Sequence, residues 1–175
     1  SAGNLTKRIG PPGGGNLRGI DVDSAGNVYV VDAWSEDAVR KYGAAAIDGA
    51  DFSTGLQWDS YQSVFSGKFN LSDTSGLLGV NGIAVSGNQL IAVDSARVLF
   101  WNDAKSVKTG QPADGAFIEG MWMNFASPRT DSKGRLWFSS RGVMQSVPND
   151  KPWSIRAYSS PLTSSSKPLK IIAVD

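Results

Sequence analysis

The stretch DVDSAGNVYVVD, residues 21–32, has the residue types and the spacing of a metal-binding loop. Four of its residues fall at positions 1, 3, 6 and 12 of a twelve-residue calcium loop, where that loop has oxygen ligands and its sharp turn: Asp21, Asp23, Gly26 and Asp32. Such a site also needs helices on both sides and usually a bidentate Glu at the last position. The preceding GPPGGGNLRGI is too rich in Gly and Pro for a helix, and position 12 is an aspartate.

A β-hairpin explains the same residues without a metal. Asp23 can cap a turn over residues 24–26, and Asp32 can cap the loop that follows the second strand. We therefore interpret this stretch as two strands and a turn, and predict no metal site in the chain.

The composition excludes several kinds of catalytic, disulfide and metal site. The 175 residues include no His and no Cys, so His-dependent catalytic triads, disulfides and the usual zinc, copper or haem sites are excluded. Seventeen basic and sixteen acidic residues give a net charge of +1 without a run of one sign, and no apolar run reaches membrane-spanning length. We expect no cofactor, no nucleic-acid partner, no membrane insertion and no identifiable catalytic residues.

Short apolar runs separated by Gly, Pro, Ser, Asn and Asp indicate a chain built from many short strands. The predicted strands are residues 20–23, 28–31, 39–42, 60–65, 83–85, 90–93, 98–101, 116–118, 136–139, 143–147, 155–158 and 171–174.

An internal repeat organises these strands. NLRGIDVDSAGNVYVVD at 16–32 matches VNGIAVSGNQLIAVD at 80–94 and NFASPRTDSKGRLWFSS at 124–140, and PLKIIAVD at 168–175 matches their first strand. Each full copy reads as a strand, a turn built on a glycine, and a second strand, followed by a third strand (RKY, RVLFW or VMQSV) and later a fourth.

These motifs resemble the NHL repeats of β-propellers. GIDVDSAGNVYVVD and GIAVSGNQLIAVDSARVLFWNDA look like the first three strands of a repeat, and TGQPADGAFIEG is similar to the fourth-strand segment of NHL repeats in extracellular bacterial proteins. The resemblance implies one all-β domain over residues 1–175, with four-stranded antiparallel blades at about 17–67, 80–120 and 124–160. Terminal strands at 5–10 and 169–175 would flank the three blades.

Three blades and two terminal strands do not make a closed propeller of known kind. We expect a section of a larger propeller, or one completed by a second copy through its exposed edges. The alternative is a four-bladed ring closed by the two termini.

In a propeller the first strands line the central channel, so the residues aligned at those strands are candidates for a site. Arg18, Asn81 and Lys170 lie just before their strands, and Arg129 lies within its own. Arg18, Arg129 and Lys170 can converge on an anion at one mouth of the channel. The alternative, which we favour, is that they pair with Asp21 or remain solvated.

Two tryptophans lie in loops that would share one face of the propeller. Trp34 is in DAWSEDA and Trp122 is in EGMWMNF, and together they can form a stacking surface for a sugar or a peptide. Alternatively Trp122 packs between blades and Trp34 folds over its own loop.

The resemblance and these residues predict an extracellular or periplasmic binding or scaffold module for protein or carbohydrate partners. The alternative is part of a propeller enzyme, a lyase or hydrolase, whose catalytic residues lie outside this chain. A carboxylate pair such as Asp21 with Asp131 or Asp175 can do acid–base chemistry, but their repeat positions favour structural roles.

Overall fold

A computed structural model of the chain describes residues 17–32, 38–44, 59–62, 80–94, 97–107, 111–118, 128–141 and 153–173. The fold is all-β, as predicted, and its strands form three open, four-stranded antiparallel sheets. The first sheet contains β1 (Leu17–Val22), β2 (Val28–Asp32), β3 (Ala38–Tyr42) and β4 (Asp59–Gln62). The second contains β5 (Gly82–Ser86), β6 (Gln89–Val93), β7 (Arg97–Trp101) and β8 (Gly115–Ile118). The third contains β9 (Arg129–Thr130), β10 (Leu136–Arg141), β11 (Trp153–Tyr158) and β12 (Lys170–Ala173).

Within each sheet, strands that follow one another in the chain are neighbours. The turns between first and second strands have glycine at positive φ, with φ of 84° at Gly26, 59° at Gly87 and 72° at Gly134. A residue with a side chain rarely adopts this conformation, so the glycines of the repeat mark the turns. The first two sheets therefore form from the strands that the repeat predicted.

The third sheet is assembled differently from the prediction. β11 pairs directly with β10, from Leu136 opposite Tyr158 to Arg141 opposite Trp153, so β11 is the third strand of this sheet. The segment 143–147, predicted as that strand, lies outside the described residues.

The expectation that 169–175 begins a further sheet is wrong. β12 pairs with β11, with Ile172 opposite Ile155 and Lys170 opposite Ala157, and it is the fourth strand of the third sheet. This sheet therefore extends beyond the predicted 124–160. The predicted terminal strand at 5–10 lies outside the described residues.

The middle sheet is covered on both faces. On one face Ile83, Leu90 and Leu99 pack against Tyr29 and Val31 of the first sheet. The opposite face packs against the third sheet through a second apolar cluster, which includes Ala84, Ile91, Val93, Val98, Phe100, Phe117, Leu136, Phe138 and Tyr158. The core of the molecule is thus two apolar layers between three sheets.

Alternation along the strands gives each sheet two distinct faces. We call the face towards the sheet earlier in the chain the preceding face, and the opposite one the following face. In the first sheet Tyr29 and Val31 lie on the following face, against the second sheet, and Ile20 and Val22 lie on the preceding face.

Hydrogen bonds join the first strands of the three sheets. Asp21 Oδ2 accepts from the backbone N–H of Val85 (2.7 Å), and the Val85 carbonyl accepts from Thr130 Oγ1 (3.3 Å). The backbones of β1 and β5 also approach closely, since a Cβ on Gly19 would lie 3.4 Å from the Ile83 nitrogen. β1, β5 and β9 therefore meet on one side of the molecule. Among the described residues, no helix is long and apolar enough to cross a membrane.

Candidate functional site

The carboxylate of Asp23 closes the first hairpin turn. Its Oδ1 accepts from the backbone N–H groups of Ala25 (2.8 Å) and Asn27 (3.0 Å). Its Oδ2 accepts from Asn27 Nδ2 (2.7 Å) and from the Tyr29 hydroxyl (3.1 Å). Both oxygens therefore face hydrogen-bond donors of their own hairpin.

Asp131 makes the same set of bonds in the third sheet. Its Oδ1 accepts from the N–H groups of Lys133 (2.9 Å) and Arg135 (3.0 Å), and its Oδ2 accepts from Arg135 Nε (2.7 Å) and Trp137 Nε1 (2.8 Å). The Arg135 guanidinium also lies over the Trp137 ring, 5.2 Å from its centroid. The first and third hairpins thus have the same aspartate-capped turn, although their sequences differ.

These bonds keep both carboxylates ionised. Burial is the largest single effect on Asp23 and raises its pKa, but the hydrogen bonds from Asn27, Ala25 and Tyr29 together outweigh it, so the pKa is lowered. The Trp137 indole, followed by the donors of Arg135 and Lys133, holds the pKa of Asp131 well below its ordinary value against the opposing effect of burial. An anionic, fully bonded carboxylate is a turn cap, as the hairpin interpretation predicted.

The loop after the second strand shows a related cap in the second sheet. Asp94, which aligns with Asp32, accepts from the Arg97 backbone N–H (2.8 Å) and forms a buried ion pair with the Arg97 guanidinium (2.6 Å). The repeat aspartates around these hairpins therefore hold turns and loops. Among the described residues, no three acidic, His or Cys side chains cluster in a way that can hold a metal ion.

Two of the predicted site residues are in direct contact. Arg18 Nη1 donates to the Asn81 side-chain oxygen (3.0 Å), which links the start of the first sheet to the start of the second. Arg18 is exposed and Asn81 is buried. Arg18 and Asn81 occupy equivalent positions of consecutive repeats, and their hydrogen bond joins these two repeats.

Arg18 and Arg129 line one cavity of about 310 Å³ where the first and third sheets approach each other. Its other walls are the backbone of Gly19 and an apolar surface of the first sheet made by Ile20, Val28, Val30 and Tyr42. Arg129 is exposed and its Nη1 donates to the Pro128 carbonyl (3.1 Å). The cavity thus combines two guanidinium groups with an apolar wall.

Among the described residues, Lys170 is a predicted site residue that does not line this cavity. Lys170 is on β12, the outermost strand of the third sheet, because that segment pairs with β11 rather than starting a new sheet. The predicted convergence of Lys170 with Arg18 and Arg129 is therefore wrong. Trp34 and Trp122 lie outside the described residues.

Sequence reasoning missed two contributors to this region. The sequence predicts Asp21 as a partner for Arg18 or as an acid, but its carboxylate accepts from Val22 N–H (2.9 Å) and Val85 N–H (2.7 Å) and so joins two first strands. The apolar wall was also missed. The alternation of Ile20 and Val22 with Gly19 and Asp21 indicates an apolar face of β1, because it places Ile20 and Val22 on the same side of the strand.

Comparison of the sequence with protein-family models and with curated proteins gave no match.

Proposed function

We propose that this chain is a β-propeller-type binding or scaffold module, exported from the cytoplasm, whose ligand surface lies where the first strands meet. Three consecutive four-stranded meanders, packed face to face and joined through their first strands, support the propeller arrangement. The resemblance of GIDVDSAGNVYVVD and its repeats to NHL sequences supports both the fold and the location.

The cavity between Arg18 and Arg129 is the observation that carries the binding role. A guanidinium presents several N–H donors in a fixed plane and suits carboxylates and other oxygen-rich groups of proteins and carbohydrates. The apolar wall beside it adds contact area for the body of the partner. The proposed ligands are accordingly protein or carbohydrate partners.

The test is a binding screen of the folded chain on a glycan array and on a peptide array. We expect discrete ligands for the wild-type protein and their loss in the Arg18→Gln/Arg129→Gln double variant. Lys170→Gln is the matched control, because it also removes an exposed positive charge but lies away from the cavity. Near-UV circular dichroism checks that each variant is folded.

Two results would count against the proposal. One is a folded wild-type chain that binds nothing on either array, and the other is a double variant that binds as the wild type does.

A further inference from the structure

The charged residues around the cavity limit the chemistry of its ligand. Arg18 and Arg129 are both exposed, and both line the cavity where the first and third sheets approach each other. Among the described residues that line it, none is acidic. The two guanidinium groups therefore give the cavity a positive charge, which attracts an anionic group.

The backbone of β1 is irregular at Arg18. The pairing of β1 with β2 shifts register between Leu17 and Gly19, so Arg18 is the extra residue of a β-bulge. A bulge changes the direction of a side chain, and bulges are common beside active sites. The Arg18 guanidinium is also held by its hydrogen bond to Asn81 (3.0 Å). The bulge and the hydrogen bond together position this group at the cavity.

Arg129 reaches the cavity from the third sheet. It aligns in the repeat with Asp21, whose carboxylate accepts from the Val85 N–H (2.7 Å) and joins the first sheet to the second. Arg129 instead donates from Nη1 to the Pro128 carbonyl (3.1 Å) and lines the cavity. The position that links two sheets in the first repeat thus has a guanidinium beside the cavity in the third.

The apolar wall of the cavity restricts the rest of the ligand. Ile20 is 57% exposed, whereas its repeat equivalent Ile83 is 1% exposed beneath the first sheet. Val30 and Tyr42 also line the cavity but are buried, so Ile20 is the most accessible apolar side chain of the wall. A polar group against Ile20 would lose hydrogen bonds to water without replacement. The part of the ligand that covers this wall is therefore apolar.

The size of the cavity limits how much of a partner enters it. Its volume of about 310 Å³ is at the lower end of the range of about 300–1,000 Å³ of small-molecule sites. Such a space holds one small group and not a run of sugar units or the surface of a folded domain. The cavity thus fits a single anionic group with a compact apolar body.

We propose that the cavity binds a carboxylate that is carried by a branched aliphatic or aromatic group. This inference rests on the proposed binding function and narrows its ligand. The planar carboxylate matches the N–H donors of a guanidinium, and the apolar group covers Ile20. A free monocarboxylic acid and the C-terminal residue of a peptide share this chemistry, whereas an acidic sugar carries its carboxylate on a hydroxylated ring.

The first test is calorimetric titration of the wild-type chain with N-acetylleucine. N-acetylleucinamide has the same shape without the charge, and N-acetylglycine has the charge without the apolar group. We expect each of these two compounds to bind about tenfold or more weakly than N-acetylleucine, because each lacks one half of the proposed recognition.

A peptide probe distinguishes the two sources of the carboxylate. Acetyl-triglycyl-leucine is titrated with its C-terminus free and with its C-terminus amidated. Tighter binding of the free-ended peptide than of N-acetylleucine identifies a peptide terminus as the source. Binding of N-acetylleucine without binding of the peptide identifies a free acid.

Two variants separate the charged and apolar parts of the site. Arg129→Gln should weaken N-acetylleucine about tenfold and leave N-acetylleucinamide nearly unchanged, because only the acid uses the guanidinium. Ile20→Ala should weaken the acid and the amide by the same factor, about fivefold. Near-UV circular dichroism checks that each variant is folded.

Val22→Ala is the matched control for the wall. Val22 is exposed on the same face of β1 as Ile20, but it does not line the cavity. Its substitution should leave the affinity for N-acetylleucine unchanged. A loss equal to that of Ile20→Ala would show that the ligand does not lie in the cavity.

Competition separates this inference from the proposed function. If an array ligand depends on Arg18 and Arg129 but excess N-acetylleucine does not displace it, the binding function stands and the carboxylate ligand is wrong. If the arrays give no ligand and N-acetylleucine does not bind, both are wrong. Equal affinity for N-acetylleucine and its amide, or tighter binding of benzylphosphonate than of phenylacetate, would also overturn the inference.

Discussion

At the scale of single residues, one aspartate caps the hairpin turn in the first sheet and another in the third. Asp23 and Asp131 each accept two backbone N–H groups at one oxygen and two side-chain donors at the other. The side-chain donors differ, with Asn27 and Tyr29 in the first hairpin and Arg135 and Trp137 in the third. The first and third hairpins therefore have the same hydrogen-bond arrangement, completed by different side chains.

The first prediction concerns Asp23→Asn. The amide keeps one acceptor oxygen but directs an NH₂ group towards Asn27 Nδ2, which loses its acceptor, while the Tyr29 hydroxyl keeps the Ala104 carbonyl (2.8 Å). We expect the free energy of unfolding to fall by about 1–3 kcal/mol at neutral pH, measured by urea denaturation. Asp103→Asn, at an exposed turn carboxylate, should change it by less than about 0.5 kcal/mol.

The same residue predicts a pH dependence. The pKa of Asp23 is lowered in the folded chain, so its contribution to stability is fully present above its ordinary value of 3.8 and is lost as the pH falls towards the folded pKa. The difference in stability between wild type and Asp23→Asn should therefore be constant above about pH 5 and shrink below pH 4. A difference that grows on acidification would contradict this assignment.

The turn glycines give a prediction about the backbone alone. Gly134 has φ of 72°, and no atom would contact a Cβ placed there within 4 Å. Gly134→Ala should thus lower the free energy of unfolding by about 1 kcal/mol, because alanine disfavours a positive φ and not because its methyl group clashes with a neighbour. Gly43→Ala is the control, because Gly43 is not at positive φ and its Cβ would meet only Asn27 Oδ1, at 3.9 Å. Equal melting temperatures for the two variants would refute the backbone explanation.

At the scale of strands and sheets, local patterns predicted most of the architecture. Alternating apolar residues and glycine turns placed the strands of the first two sheets, because both features act between neighbouring residues. The third sheet was misassigned because IIAVD has the composition of a first strand, while its partner is decided by pairing across the 159–169 connection. Composition does not specify such a distant partner. The repeat aligned Arg18 with Asn81 but did not predict the hydrogen bond between them, and the position of Lys170 depended on the pairing of β12.

Contacts between sheets give a prediction at this scale. The buried amide of Gln89 donates to the Leu162 carbonyl (2.9 Å) and accepts from the Leu162 N–H (2.6 Å), which joins the second sheet to the segment before β12. Gln89→Met leaves both backbone groups buried without this partner. We expect a loss of about 2–4 kcal/mol and faster hydrogen exchange at the Leu162 amide.

Asn102→Ala is the control for that substitution. Asn102 is exposed and accepts from the same Gln89 amide nitrogen (2.9 Å), but it does not contact Leu162. Its removal should cost less than about 1 kcal/mol. If Gln89→Met and Asn102→Ala had the same effect, the contact with Leu162 would not account for the lost stability.

At the scale of the whole molecule, the three sheets differ in how much of their surface is covered. The middle sheet is buried on both faces, while β1 and the following face of the third sheet have exposed isoleucines. The first strands are linked through Asp21, Val85 and Thr130, which places them at the centre of the proposed propeller. In the proposed propeller the three sheets diverge outwards from these strands.

Double electron–electron resonance distances test that claim most directly, because the native chain has no cysteine to interfere with spin labelling. One labelled protein carries Ile20→Cys and Thr130→Cys on the first strands of the first and third sheets. Another carries Ala44→Cys, after β3, and Lys170→Cys, on β12. With each protein diluted in unlabelled chain, the propeller arrangement predicts a clearly shorter distance for the first-strand pair. Equal distances, or a shorter distance for the outer pair, would contradict it.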